Sequence, residues 1–211
     1  MTSLASRTAA LLFLLTGVCQ VANAQQMLID RTYDPKTKTR LTVTCLVSEL
    51  PTSGYAPIRV TITNGTKFKR DWSFRFTSSD TGWTSDGNEI RSSFSASCDA
   101  GQSLVFEFLV PLVTAFQQGY GSSTNLDVTA SAVAMPAASG SMETEYNLEW
   151  PSVLISNTLQ RPNGSNLSAE ARTHVSGSSR GGTSSIEFGG EFDAGKMSAD
   201  WRAYAGYDAC L

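Results

Sequence analysis

The chain has 211 residues, 41% hydrophobic and 17% charged, with 16 basic and 19 acidic side chains and a formal net charge of −3. A weakly acidic balance without a basic stripe excludes nucleic acid as the expected partner. No apolar run beyond the N-terminus is long enough for a membrane helix, which excludes an internal anchor in this stretch of chain.

The N-terminus reads as a targeting segment. Arg7 and the free amine supply positive charge, residues 9–18 (AALLFLLTGV) form a short apolar core, and Ala22-Asn23-Ala24 is a small-x-small cleavage site. That layout predicts a secretory signal peptide over residues 1–24, with Gln25 opening the mature chain, and the core is too short to span a bilayer. Cys19 raises lipid modification as an alternative, but Val18 is larger than the residue expected before a lipidated cysteine. Arg7 is the only charged residue removed, so the mature chain of 187 residues keeps a net charge of −4. That length suits one ordinary domain plus a partial second.

Strands follow in close succession. Residues 27–33 form a first strand ended by Asp34-Pro35. In residues 41–64, Leu41, Val43, Cys45 and Val47 share one face of a second strand, and Ile58, Val60 and Ile62 one face of a third. This period of two marks a half-buried antiparallel pair joined by a Pro/Gly loop, residues 48–57. After the Asn64-Gly65 turn and the basic loop of Lys67, Lys69 and Arg70, residues 71–77 place Trp72, Phe74 and Phe76 inward. Residues 78–89 are a polar loop and 90–98 a weaker strand. Residues 104–110 set Leu104, Phe106, Phe108 and Val110 on one side, and residues 126–134 set Leu126, Val128, Ala130 and Ala132 in phase. Seven short strands with no helix between them predict an antiparallel two-sheet β-sandwich of immunoglobulin-like architecture over residues 25–136.

The style then changes. Residues 137–141 (AASGS) read as a boundary within a connecting segment, 137–152. Residues 153–155 read as a buried strand, 168–175 as a short helix, and 176–185 as Gly/Ser-rich linker. Ser198 can cap a helix over 199–205 that Gly206 stops, and residues 207–211 resemble another strand. Strand, helix and strand in that order predict the incomplete start of an α/β domain over 153–211, in a chain that is a fragment of a longer polypeptide.

The runs LTVTCLVSELPTSGYAPIRVTITN, DWSFRFTSS, FSASCDAG and FDAGKMSADWRAYAGYDACL together resemble a group of exported bacterial proteins. Their N-terminal immunoglobulin-like sandwich precedes a region similar to the class I glutamine amidotransferase fold, often with a later membrane anchor. The resemblance implies architecture and compartment. It carries over no catalytic residue, because Cys210 in YDACL does not stand on a nucleophile elbow.

Candidate chemistry is sparse. The single histidine, His174, lies in a polar stretch suited to solvent, and no G-x-S-x-G elbow accompanies it. No H-E-x-x-H or C-x-x-C offers zinc ligands. Asp80, Asp86, Asn88 and Glu89 gather oxygen ligands suited to calcium, although the loop departs from the known calcium-loop pattern and reads first as a solvated turn. Cys45 and Cys98 both face inward and are either a disulfide in an oxidising compartment or two buried thiols. Tyr55 and Trp83, on loops at a sandwich end, are the candidate partner or glycan contacts. Lys67, Lys69 and Arg70 are a solvated turn or a contact for anionic lipid or glycan. Asn64, Asn163 and Asn166 head N-x-S/T glycosylation patterns. No cofactor is expected. The combined reading is an extracytoplasmic, non-catalytic interaction or spacer module. The alternatives are a carbohydrate-binding accessory module and an enzyme whose active site lies beyond Leu211.

Overall fold

The computed structural model describes residues 25–80, 88–114, 122–146, 153–158 and 190–210. Eight of its strands form two antiparallel sheets. The first contains β1 (Gln26–Asp34), β2 (Thr39–Cys45), β3 (Tyr55–Thr63) and β6 (Ser103–Pro111), in the order β1-β2-β3-β6. The second contains β4 (Arg70–Asp80), β5 (Glu89–Cys98), β7 (Ser122–Ala132) and β8 (Met135–Tyr146), in the order β5-β4-β7-β8. The chain is mainly β, and its sheets pack face to face.

The alternation in the sequence accounts for the strands. Leu41, Val43 and Cys45 of β2 and Ile58, Val60 and Ile62 of β3 are fully buried, as are Phe74 and Phe76 of β4, with Trp72 nearly so. Their neighbours Ser73 and Arg75 point to solvent. Each inward row meets the other sheet. Phe106 and Phe108 of β6 pack on Phe74 of β4 with ring centroids 6.0 and 5.9 Å apart, and Phe94 of β5 stacks on Phe108 at 4.1 Å. Such aromatic pairs add to the stabilisation their buried area already gives. They close the sandwich along its β5–β6 side.

The opposite side closes through the absence of a side chain. A Cβ on Gly140 of β8 would lie 1.9 Å from the Leu28 carbonyl oxygen of β1, so only glycine lets these two edge strands approach so closely. This corrects the expectation for residues 137–141. The AASGS stretch is the middle of β8, pairing with β7 through Ala130↔Ala138, Thr129↔Ser139, Val128↔Gly140 and Asp127↔Ser141. Its small residues serve a tight contact between sheets rather than a flexible boundary, and the sandwich runs on to Tyr146.

A third, three-stranded sheet follows, made of β9 (Val153–Ser156), β10 (Gly190–Phe192) and β11 (Ala209–Cys210) in the order β10-β9-β11. Both neighbours run parallel to β9, which is buried along its whole length. The helix expected over 199–205 is instead a single 3₁₀ turn, Trp201–Tyr204, and another such turn, Ala194–Lys196, precedes it. Their caps are Asp193 and Asp200, whose carboxylates accept from the Gly195 and Arg202 amides. Ser198 accepts the Asp200 amide at 3.3 Å and so caps no helix.

Candidate functional site

The two ends of the sandwich differ. At the end where β2 leaves and β3 begins, residues 190–208 are docked. Phe192 of β10 bridges to Val47, and the Tyr207 hydroxyl donates to the Glu49 carbonyl at 2.5 Å. Phe192 and Leu154 belong to the same buried cluster as the sandwich core. Arg59 of β3 pairs with Glu107, its register partner on β6, at 2.7 Å, and donates onward to the Lys196 carbonyl at 3.0 Å. The closest fit is at Gly206, where a Cβ would lie 1.9 Å from the Ser53 carbonyl oxygen and 2.8 Å from Pro51 Cβ.

Tyr55 opens β3 at this end and is exposed, and the second 3₁₀ turn, which carries Arg202, lies against β3. Beside Arg202, Trp201 is 74% exposed. Trp201 was hidden in the sequence because it fell inside an apparent helix. The signal that could have found it is Asp200, which caps a turn that starts at the tryptophan itself. The Arg202 side chain holds Asp200 through three contacts, Nε to Oδ1 at 3.0 Å and to Oδ2 at 3.1 Å, and Nη2 to Oδ2 at 2.5 Å. That pairing keeps the Asp200 carboxyl below its usual range. Trp83, the other candidate contact, lies outside the described residues, as do Cys19, Asp86, Asn163, Asn166 and His174.

The remaining candidates are placed as follows. Asp80 is buried at the end of β4, while Glu89 begins β5 and pairs with Arg91. Asn64 is fully buried and hydrogen-bonded, so its glycosylation pattern is closed to modification in the folded chain. Lys67 and Lys69 are exposed at the end of the sandwich opposite the docked segment.

Of the two alternatives for Cys45 and Cys98, the structure has the pair of buried free thiols. Cys45 pairs with Ile58 near the start of β3, whereas the Cys98 carbonyl accepts from Asn64, just past the end of β3. Six residues of extended chain separate those levels, about 20 Å, where a disulfide needs Cα atoms within about 7 Å. Inward orientation alone could not reveal that the two cysteines sit at opposite ends. Burial pushes the Cys45 thiol up to about 12. Cys98 is raised for the same reason, and its Sγ donates to the Gln102 carbonyl at 3.4 Å. Cys210 is exposed on β11.

Among the described residues, no helix is long and apolar enough to cross a membrane, and no group of three His, Cys, Asp or Glu side chains could hold a metal. Neither a protein-family model nor a curated protein matches the chain.

The thiolate is the nucleophile in alkylation; partial burial raises the Cys210 thiol as well, but of the three described cysteines only Cys210 is exposed to reagent. Native treatment with iodoacetamide followed by peptide mass mapping should therefore modify Cys210 and spare Cys45 and Cys98. Denaturation without reductant should expose all three to reagent. Recovery of a Cys45–Cys98 linked peptide would contradict the placement.

Proposed function

We propose that this chain is an exported, non-catalytic interaction or spacer module in which an immunoglobulin-like sandwich supports the opening of an α/β unit. The strand neighbours favour the immunoglobulin-like reading. β3 beside β6 and the order β4-β7-β8 correspond to the B–E and C–F–G pairings of that fold. On this correspondence β2 is strand A, β5 adds a C′-like edge to the C–F–G sheet, and β1 is an extra strand beside A.

The α/β reading is supported by the parallel order β10-β9-β11, in which the first strand in sequence stands between the second and the third. That is how a doubly wound sheet of order 2-1-3-4-5 begins. Residues 1–24 and the resemblance to exported proteins support the compartment.

The observation that carries the scaffold role is the docked Gly206. The sandwich grips the C-terminal segment where no side chain is tolerated, so it sets the position of the parallel strands. Gly206→Val should release that segment. Trypsin cleavage after Lys196 and Arg202 should accelerate by about tenfold or more, with the sandwich still folded, because local opening is separable from global unfolding. Unchanged cleavage, or collapse of the sandwich together with the segment, would count against a supporting role.

A second reading, a carbohydrate-binding accessory module, is favoured by Tyr55 and Trp201, both exposed at the docked end. Exposed aromatic rings can stack on sugars. Addition of soluble polysaccharides should then change the tryptophan fluorescence of the native protein and leave that of Trp201→Ala unaltered. A native spectrum that ignores every polysaccharide removes this reading.

A further inference from the structure

The end of the sandwich away from the docked segment has a chemistry of its own. Four loops meet there: residues 35–38, 64–69, 99–102 and 133–134. Hydrogen bonds and close approach show that they are neighbours. Arg70 donates to the Val133 carbonyl at 2.7 Å, Asn64 donates to the Cys98 and Asp99 carbonyls at 2.9 and 3.1 Å, and Gly65 lies against the Thr37 carbonyl. Two large apolar side chains protrude from this end, Phe68 at 73% and Val133 at 77% exposure.

Around them stand Lys36, Lys38, Lys67 and Lys69, all exposed, and the half-buried Arg70. No carboxylate among the described residues pairs with any of the four lysines. The acidic groups at this end are Asp34, Asp71 and Asp99. Asp34 is engaged by the Lys36 amide and the Thr37 hydroxyl, and Asp71 by the Ser97 hydroxyl. A chain with a net charge of −3 thus places a locally positive surface around two exposed apolar tips.

We propose that this end docks on an anionic phospholipid bilayer, with Phe68 and Val133 entering the interface and the four lysines lying at the level of the headgroups. The composition selects this occupant. Protein interfaces are depleted in lysine, whereas a bilayer surface takes protruding apolar side chains and diffuse positive charge without a fixed geometry of partners. The tip is also held in shape. The Phe68 carbonyl accepts from Asn64 Nδ2 at 2.8 Å, which turns the backbone inward and leaves the ring outside. This inference names a partner for the interaction module proposed above and rests on that reading for access to a membrane. It does not depend on the docked C-terminal segment, so the Gly206→Val result and the result below fail independently.

The test is co-sedimentation of the purified protein with vesicles. One set is phosphatidylcholine alone and the other an equal mixture of phosphatidylcholine and phosphatidylglycerol. Binding should occur to the mixed vesicles, weaken with added salt, and be near background on the neutral ones. The double variants Phe68→Ser/Val133→Ser and Lys67→Glu/Lys69→Glu should each bind about tenfold more weakly or worse. All four positions are exposed, and a native-like circular dichroism melt for the lysine variant keeps the comparison valid if the apolar variant aggregates. Absence of binding to the mixed vesicles, equal binding to both sets, or full binding by both variants would overturn the proposal. Capture by a soluble anionic polysaccharide in place of vesicles would also overturn it.

Discussion

The Asn64 side chain is the one group on which the open end of the sandwich depends. It follows β3 directly and is fully buried, and its amide nitrogen reaches three carbonyls, those of Phe68, Cys98 and Asp99. Its amide oxygen accepts from the Thr66 amide and hydroxyl at 3.2 and 2.6 Å. One side chain therefore ties the loop between β3 and β4, which crosses between sheets, to the loop between β5 and β6, which crosses back. Of the three bonds the one to the Cys98 carbonyl is buried, and a buried polar group left without its partner costs about 1–3 kcal/mol. The surroundings give little relief. The Trp72 indole nitrogen and the Tyr33 hydroxyl are also buried at this end, in edge-to-face contact at 5.4 Å, without a hydrogen-bond partner among the described residues.

The same economy of small groups recurs elsewhere. Gly140 lets β8 meet β1, and Gly206 lets the C-terminal segment meet the loop between β2 and β3. Aliphatic and aromatic rows together fill the core, but these glycines decide which surfaces can touch. The result is a molecule with two unlike ends: one occupied by parallel strands, the other held by Asn64 and carrying Phe68 among lysines. A division of that kind suits a part that joins something to something else.

Much of the fold was legible from period alone. Leu41, Val43, Cys45, Ile58, Val60, Ile62, Trp72, Phe74 and Phe76 are buried where alternation placed them. Period failed where a residue is used for being small. The AASGS stretch carries the composition of a linker but lies in a strand whose alternation runs on past it, with Ala138, Met142 and Thr144 buried and Ser139, Ser141 and Glu143 exposed. Position along a strand was equally silent: Cys45 and Cys98 face inward on different sheets, yet nothing local states their separation. Of the candidate contacts, Tyr55 was readable because a loop precedes it. Phe68 was overlooked although an aromatic flanked by Lys67 and Lys69 in a turn has no inward face to occupy. Asn64 read as a turn residue and a glycosylation pattern, whereas its role is set by carbonyls that approach only in the folded chain.

Amide hydrogen exchange on the native protein and on Asn64→Ala tests that role most directly. The account predicts that residues 64–70 and 98–103 lose protection together in the variant, two stretches far apart in sequence, while β9 and β10 at the other end keep theirs. Protection unchanged in both loops, or lost in one loop alone, would contradict the claim that a single buried amide holds this end of the sandwich closed.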